Sequence, residues 1–224
     1  MEGVARGAET RARILAAALA RFRRRGLAET TMRDIAADAG VALGATYYYF
    51  PSKEAIVLAY YDETQRVCSA RTRAVFDTTG DVRARLGACF HTKLDVLRKD
   101  RKLLAGLFHR LADPSAAESI FGEATAAVRE ESIALFDEAI AASAAGLDPD
   151  SRRVLVLALF SLHLGVMLYF IHDRSPGQAR TRQLIDGSLD LVSSLLPVAP
   201  ALAPVVGAQI ARILAEAGLL GPVR

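Results

Sequence analysis

Apolar side chains recur at intervals of three and four residues along much of the chain, which is the spacing of one face of an α-helix. The first such stripe consists of Ile14, Leu15, Ala18, Leu19 and Phe22. Gly26 follows it and has the backbone freedom that a left-handed turn after a helix requires. The pattern therefore predicts a first helix that ends at Gly26.

Two short helices are predicted next. The segment TMRD, from Thr31 to Asp34, has the spacing of a capping box, and Gly40 ends the short apolar stripe that follows it. A third helix is expected to end near Phe50, because Pro51 cannot donate a backbone hydrogen bond and disfavours helix in the residue before it. We predict a compact helix-turn-helix with its turn at Gly40.

Helical signals continue through the rest of the chain. Ser52 is expected to cap a long fourth helix that reaches Phe76. Later boundaries are marked by Gly80-Asp81, Asp113-Pro114-Ser115, a capping-box pattern from Ser115 to Glu118, Gly146, Asp148-Pro149, Ser175-Pro176, Pro197 and Pro200, with a last helix ending near Gly218. We found no alternating strand pattern, hairpin signal or repeat, so we predict an all-α protein.

One apolar run is long enough to cross a bilayer. It extends from Val154 to Ile171 and is flanked by arginines. Ser161 and His163 near its middle would be costly in lipid, and a helix that is apolar on all sides is equally expected when it is buried among other helices. We favour the buried helix, with no membrane contact, and keep a membrane-anchored protein as an alternative.

Charge is distributed unevenly along the 224 residues. The net charge is +3, yet residues 1–53 alone carry nine Lys and Arg against five Asp and Glu, an excess of four. This asymmetry suggests a polyanionic partner for the amino-terminal end, although a solvated basic helix face is the simpler alternative. Cys68 and Cys89 lack the spacing of a redox or metal motif, and the start of the chain has no signal-peptide core, so we expect a cytoplasmic protein with reduced thiols.

Aromatic residues are concentrated in the third predicted helix. Tyr47, Tyr48 and Tyr49 are three of the six tyrosines in a chain that has no tryptophan. A tyrosine hydroxyl at the edge of a helix in the major groove can donate to a phosphate oxygen while its ring packs below. The alternative is that these rings fill the core of the small domain, which is our interpretation for Phe50 but not for Tyr47 and Tyr48.

The stretch TTMRDIAADAGVALGATYYYFPSKEAI resembles the DNA-binding segment of the TetR family of bacterial transcriptional regulators. The resemblance is carried by Thr31, Ile35, Ala36, Ala39, Gly40, Val41, Gly44, Tyr47, Phe50, Lys53 and Glu54, and in detail it covers about Thr10 to Tyr61. It implies an amino-terminal three-helix domain, which we place at residues 1–55. It also implies a larger helical domain for ligand binding and dimerisation, at residues 56–224.

The resemblance also implies roles for individual residues. Those expected to hold phosphates are Thr31, Tyr47, Tyr48 and Lys53, and those expected to face bases are Leu43, Gly44 and Ala45. Arg33 is added as a phosphate contact because of its charge, and Thr46 is included although its position usually faces the small core. The sequence departs from the family pattern at Ala42, which cannot cap the third helix, at Ala45 and Thr46, and at Tyr49, which replaces a frequent histidine.

The sequence lacks the motifs of several common enzyme classes. The sequence has no GxSxG, HExxH or GxxxxGK[ST] motif, and its four histidines include no pair at helical metal-binding spacing. We therefore expect no catalytic residues, no metal and no cofactor. A helical-bundle enzyme without an operator remains a further alternative.

Taken together, these features predict a homodimeric repressor that binds a double-stranded, palindromic DNA operator and is released by a small, apolar effector. The candidate effector-binding residues are Phe90, Phe108, His109, Phe121, Phe160, His163 and Met167, for which ordinary core packing is the alternative. Dimerisation is expected through Val154–Ile171 and Leu184–Leu196, and the helix from Ser52 to Phe76 is the expected lever between effector and DNA.

Overall fold

The computed structural model describes residues 2–201, except 114, 117 and 145, together with residues 209, 212, 213 and 216. Residues 2–5 and 109 are described by their backbone only. Within these ranges the chain forms helices, turns and bends without a strand, which confirms the predicted all-α class. The predicted helix end near Gly218 lies outside the described residues.

Nine α-helices occur in this part of the chain. They are α1 (Glu2–Arg25), α2 (Met32–Ala39), α3 (Leu43–Tyr49), α4 (Lys53–Phe76), α5 (Val82–Leu97), α6 (Arg101–Ala112), α7 (Ala126–Ile140), α8 (Pro149–His172) and α9 (Ala179–Leu195). Short 3₁₀ turns lie at Arg98–Asp100, Glu123–Thr125, Pro176–Gln178 and Leu196–Val198.

The boundaries of the first four helices are those that the local signals predict. The apolar stripe of α1 is buried, with Ile14 and Ala18 inaccessible to solvent, and Gly26 adopts the left-handed conformation with φ of 83°. Ser52 caps α4, since its Oγ accepts a hydrogen bond from the backbone N–H of Ala55 at 3.2 Å.

Two predicted features of the following helices are wrong. Ser115 to Glu118 does not open a helix, and α7 begins only at Ala126. The reason is that the Glu118 carboxylate is buried and accepts from Arg110 Nε at 2.9 Å. Gly146 does not close α7 either, because that helix already ends at Ile140.

The start of α8 agrees with the prediction. Asp148 accepts hydrogen bonds from the backbone N–H groups of Asp150 and Ser151 at 3.1 and 3.0 Å, and Pro149 occupies the first turn. The hydrogen bonds hold the pKa of the Asp148 carboxyl below its usual value.

The helices form two compact units. The first contains Met1–Val67 and Leu97–Glu130, and the second contains Cys68–Val96 and Glu131–Arg224. The first unit thus includes α1, α2 and α3 with the beginning of α4 and the whole of α6. These units describe packing alone, and the division into domains at residue 55 stays a prediction.

A buried polar group organises the first unit. Asp100 is 5% exposed, and its carboxylate accepts from Arg23 Nε at the end of α1 and from the Tyr60 hydroxyl of α4 at 2.9 Å. Burial next to this carboxylate raises the pKa of Tyr60. The bonds join three segments that are distant in sequence.

The apolar run of α8 contributes to the core of the second unit. The buried residues of this helix are Val154, Val156, Leu159, Phe160, His163, Val166 and Phe170. Its mean hydropathy of 2.4 would suffice for a membrane span, as would the value of 1.2 for Pro176–Ala201, but the core helix of a soluble protein meets the same criterion. Burial of this face is the outcome expected for a core helix.

Candidate nucleic-acid interface and effector-binding residues

Local hydrogen bonds fix both ends of α2, the helix that precedes the turn to α3. Thr31 Oγ1 accepts from the Asp34 backbone N–H at 3.1 Å, and the Asp34 carboxylate accepts from the Thr31 backbone N–H at 3.0 Å, which completes a capping box. These bonds lower the pKa of Asp34. At the other end of α2, Gly40 has φ of 62° and its N–H donates to helical carbonyls.

Helix α3 presents two of its tyrosines to solvent. Tyr48 is 82% exposed and Tyr47 is 49% exposed, whereas Tyr49 is partly covered and meets Tyr48 edge to face at 5.1 Å between ring centroids. Because neither ring is buried, the hydroxyls of Tyr47 and Tyr48 are available to a partner. Their exposure is inconsistent with a role in filling the core.

The first turn of α3 offers a small, mostly apolar surface. Gly44 is exposed, Leu43 and Ala45 are half-buried, and no side chain caps the helix at Ala42. Such a surface can approach base edges closely, but it can donate no side-chain hydrogen bonds.

The structure corrects the assignment of Thr46 to the interface. Thr46 is completely buried, and its hydroxyl faces the carbonyl of Ala42 at 3.5 Å within its own helix. Phe50 is also buried, as predicted, and its ring lies under the guanidinium of Arg11. Thr46 therefore lies on the inner face of α3 and not on the face proposed to contact the major groove.

Two of the residues predicted to hold phosphates, Lys53 and Thr31, have partners within the protein. The Lys53 ammonium donates to the carbonyl oxygens of Leu27 at 2.7 Å and Ala28 at 3.4 Å. Thr31 is exposed, but its hydroxyl donates to Asp34. Since an ammonium has three N–H donors, Lys53 can keep these bonds and still reach an anion.

Arg33 lies on the exposed side of α2. Its neighbours on α1 behave differently, because Arg21 forms ion pairs with Asp34 at 2.9 Å and Asp38 at 3.0 Å. Arg24 also pairs with Asp38, at 3.2 Å. Asp34 and Asp38 of α2 thus compensate arginines at the carboxyl end of α1. Arg33 is the basic side chain of α2 itself, and it is exposed to solvent.

Two of the predicted effector-binding residues meet in the second unit. Phe90 of α5 and His163 of α8 have ring centroids 5.4 Å apart, and Phe136 of α7 lies 5.4 Å from Phe90 and 5.7 Å from His163. We call Phe90, Phe136 and His163 the aromatic cluster. The sequence pattern did not single out Phe136, because helical periodicity identifies a buried face but not its partner.

His163 is a polar group in an apolar setting. It is 6% exposed, and its Nδ1 has no hydrogen-bond partner among the described residues. Burial, reinforced by the positive charge of Lys93, lowers the pKa of His163 to about 3. The imidazole is therefore neutral at pH 7 and has an unused polar atom.

The other candidate effector residues are divided between the units. Phe160 is buried and Met167 half-buried in the second unit, while Phe108 is half-buried and Phe121 is 55% exposed in the first. The side chain of His109 lies outside the described residues. Convergence of the two sets on one ligand stays a prediction.

Metal ligation has no support from the described side chains. No three His, Cys, Asp or Glu residues among them come together in a group that could hold a metal ion.

Comparison with known families gives two matches that together cover most of the chain. A family model described as "Bacterial regulatory proteins, tetR family" matches residues 14–60. A second, described as "Tetracyclin repressor-like, C-terminal domain", matches residues 85–207, which is more than half of the chain. The first match contains α2, α3 and the candidate DNA contacts from Thr31 to Lys53.

Curated relatives are similar over part of their length. The regulator ArpR of Pseudomonas putida is 39% identical over 103 residues, which are 46% of this chain and 43% of that protein. The HTH-type transcriptional repressor KstR2 of Mycobacterium tuberculosis is 37% identical over 91 residues, 39% of this chain and 44% of that protein. The chain spans less than half the length of these relatives.

Solved structures share the fold. A tetR-family transcriptional regulator from Streptomyces coelicolor superposes with a TM-score of 0.63 at 20% identity, covering 94% of this chain and 98% of the other. At this identity the likeness concerns the arrangement of helices alone.

Proposed function

The chain belongs to the tetR family of bacterial regulatory proteins, and from that premise we propose that it is a cytoplasmic transcriptional repressor that binds an operator as a homodimer. The observation that carries the proposal is the capped helix-turn-helix with exposed Tyr47 and Tyr48. A small effector, in this proposal, releases the protein from DNA.

The surface of α3 supports a specific mode of DNA recognition. Leu43 and Ala45 can contact thymine methyl groups, while the hydroxyls of Tyr47 and Tyr48 can donate to phosphates. Readout is then weighted toward methyl contacts and DNA shape.

Operator selection from random duplexes, followed by two changes, tests this mode. Tyr48→Phe should weaken binding to all selected sequences alike, because a phosphate contact carries no base information. Replacing thymine by uracil across the operator should weaken binding of the unchanged protein. Selection that yields no preferred sequence would refute the repressor, and equal affinity for the uracil duplex would refute methyl readout.

The exposed apolar residues of α8 and α9 support dimerisation. Leu184, Leu191 and Leu195 of α9 are 44%, 61% and 47% exposed and follow helical spacing, and Leu168 and Tyr169 of α8 are 41% and 42% exposed. A second copy of the chain would cover them and set two recognition helices roughly 34 Å apart, as adjacent major grooves require.

Sedimentation tests the dimer. The protein should sediment as a dimer at micromolar concentration, and Leu191→Asp should shift it toward monomer by placing a charge in the interface. Ala199→Asp is the matched charge control, because it places the same charge at a half-buried position after the end of α9. A wild-type protein that is monomeric at this concentration would refute both the interface and the palindromic operator.

Effector binding is proposed for the aromatic cluster and its neighbours Phe160 and Met167. The unused Nδ1 of His163 supports a ligand with one polar group among apolar surroundings. A ligand that prefers the conformation with low DNA affinity must itself bind more weakly in the presence of operator, by the same factor. Titration with and without operator measures that factor, and a ligand with equal affinity in both cases is not an inducer.

A further inference from the structure

The seven arginines of α1 fall into two groups. Near its carboxyl end, Arg21 pairs with Asp34 and Asp38, Arg23 with Asp100, and Arg24 with Asp38. Most of the positive charge at this end is therefore compensated inside the first unit.

The amino-terminal part of α1 differs. Arg6 and Arg13 are exposed, and neither forms an ion pair with the side chains that the structure describes. They are seven residues apart, which places them on the same helix face and about 10 Å apart along the axis. Glu9 lies between them in sequence and likewise has no ion pair there. We call Arg6 and Arg13 the arginine face.

Helix α1, which carries the arginine face on its exposed side, also contacts the end of α3. A Cβ atom added to Gly7 would be 3.5 Å from the Tyr49 hydroxyl, so the second turn of α1 reaches the end of α3. One turn later, the Arg11 guanidinium lies 4.8 Å from the centre of the Phe50 ring. The second and third turns of α1 therefore contact the end of the helix that carries the exposed Tyr47 and Tyr48.

We propose that Arg6 and Arg13 bind backbone phosphates of DNA next to the segment contacted by α3. The inference rests on the proposed function and adds a contact that the helix-turn-helix alone does not contain. Guanidinium groups suit this role, because their planar fork can bind a phosphate through two hydrogen bonds. Since phosphates are the same in every sequence, the arginine face supplies affinity and orientation and leaves sequence preference to α3.

The salt dependence of binding tests the proposal without a known operator. The probe is a random-sequence 30-base-pair duplex, titrated by fluorescence anisotropy between about 50 and 300 mM salt, where each phosphate contact contributes about 0.9 to the slope. The double variant Arg6→Gln, Arg13→Gln should make the slope of log K against log salt shallower by about two per subunit. Arg6→Lys, Arg13→Lys should retain the wild-type slope, because the charge is kept.

A matched control removes two arginines that already have acidic partners. Arg24→Gln, Arg66→Gln takes the same charge from the pairs with Asp38 and Glu63, and should change the slope by less than half as much. Circular dichroism and thermal melting confirm that each variant is folded. A folded Arg6→Gln, Arg13→Gln protein with the wild-type slope would overturn the proposal.

Two outcomes separate this inference from the proposed function. If the wild-type protein binds neither random nor selected duplexes, the proposed function itself fails. If it binds DNA with an unchanged slope in the double variant, but the variant loses affinity for vesicles that contain anionic lipid, the arginine face serves a membrane surface and the inference is wrong.

Discussion

The helix-turn-helix and the aromatic cluster are stabilised in opposite ways. In the helix-turn-helix, Thr31 and Asp34 bond to each other within one turn, and the large side chain of Tyr48 remains 82% exposed. In the aromatic cluster, Phe90 and Phe136 come from different helices and are almost fully buried. The surface proposed for DNA therefore contributes little to stability, so DNA binding and folding can be altered separately.

The largest expected difference comes from aromatic truncation. Phe136→Ala should lower the free energy of unfolding by about 3–5 kcal/mol, because it removes a buried ring and leaves a cavity. Tyr48→Ala should change it by less than about 0.5 kcal/mol, since the ring is exposed. Urea denaturation of both variants measures the difference. Similar losses for the two would mean that the exposed ring stabilises the fold as much as the buried one.

A long-range polar contact should matter less than the buried ring but more than a local cap. Asp100→Ala removes the carboxylate that accepts from the buried hydroxyl of Tyr60, which keeps its hydrogen bond with Thr64, while Arg23, which is 41% exposed, can regain water. We expect a loss of about 2–3 kcal/mol. Glu63→Ala, which breaks the exposed pair with Arg66, is the control and should cost less than about 1 kcal/mol. Equal costs in denaturation would show that Asp100 does not organise the first unit.

Acid should weaken the protein through His163. The pKa of this residue in the folded state is about 3, below the ordinary value near 6.5, so the unfolded chain binds the proton first as the pH falls. The stabilisation by neutral His163 is complete above pH 6.5 and is lost progressively toward pH 3. Between pH 7.5 and 5.5 the loss is on the order of 1 kcal/mol.

The control for this pH effect is His163→Leu, which cannot titrate. Its free energy of unfolding should fall less steeply over the same interval than that of the wild type, and the difference isolates His163 from other titrating groups, including Lys93 beside it. Parallel curves for the two proteins would mean that folding does not change the pKa of His163.

The smallest effects concern the two helix starts of the helix-turn-helix. Thr31→Ala should destabilise the protein by about 1 kcal/mol, because it removes the side-chain cap of α2. Ala42→Ser should stabilise it by about 0.5–1 kcal/mol, because α3 has no side-chain cap. Thermal melting of both variants provides the measurement. A stabilising Thr31→Ala would indicate that the capping box is not the signal that ends the loop.

Local signals also explain which parts of the fold were predictable. The ends of α1, α2 and α3 were marked by Gly26, Gly40 and Pro51, which act on the backbone within a few residues. The capping pattern from Ser115 to Glu118 used the same type of signal and failed. There, Arg110, which lies eight residues earlier, binds the carboxylate that a local cap would have used.

The helical class, the helix-turn-helix and the family resemblance could be predicted from the residues alone, because capping, turn chemistry and apolar spacing act over a single turn or helix. The packing of the helices against one another buries Thr46 and brings Phe136 to Phe90 and His163. It also pairs Arg21 with Asp34, whereas Arg6 and Arg13 form no ion pair with the side chains that the structure describes. Burial and ion pairing depend on which helix faces meet, and the periodicity of one helix contains no information about its neighbour.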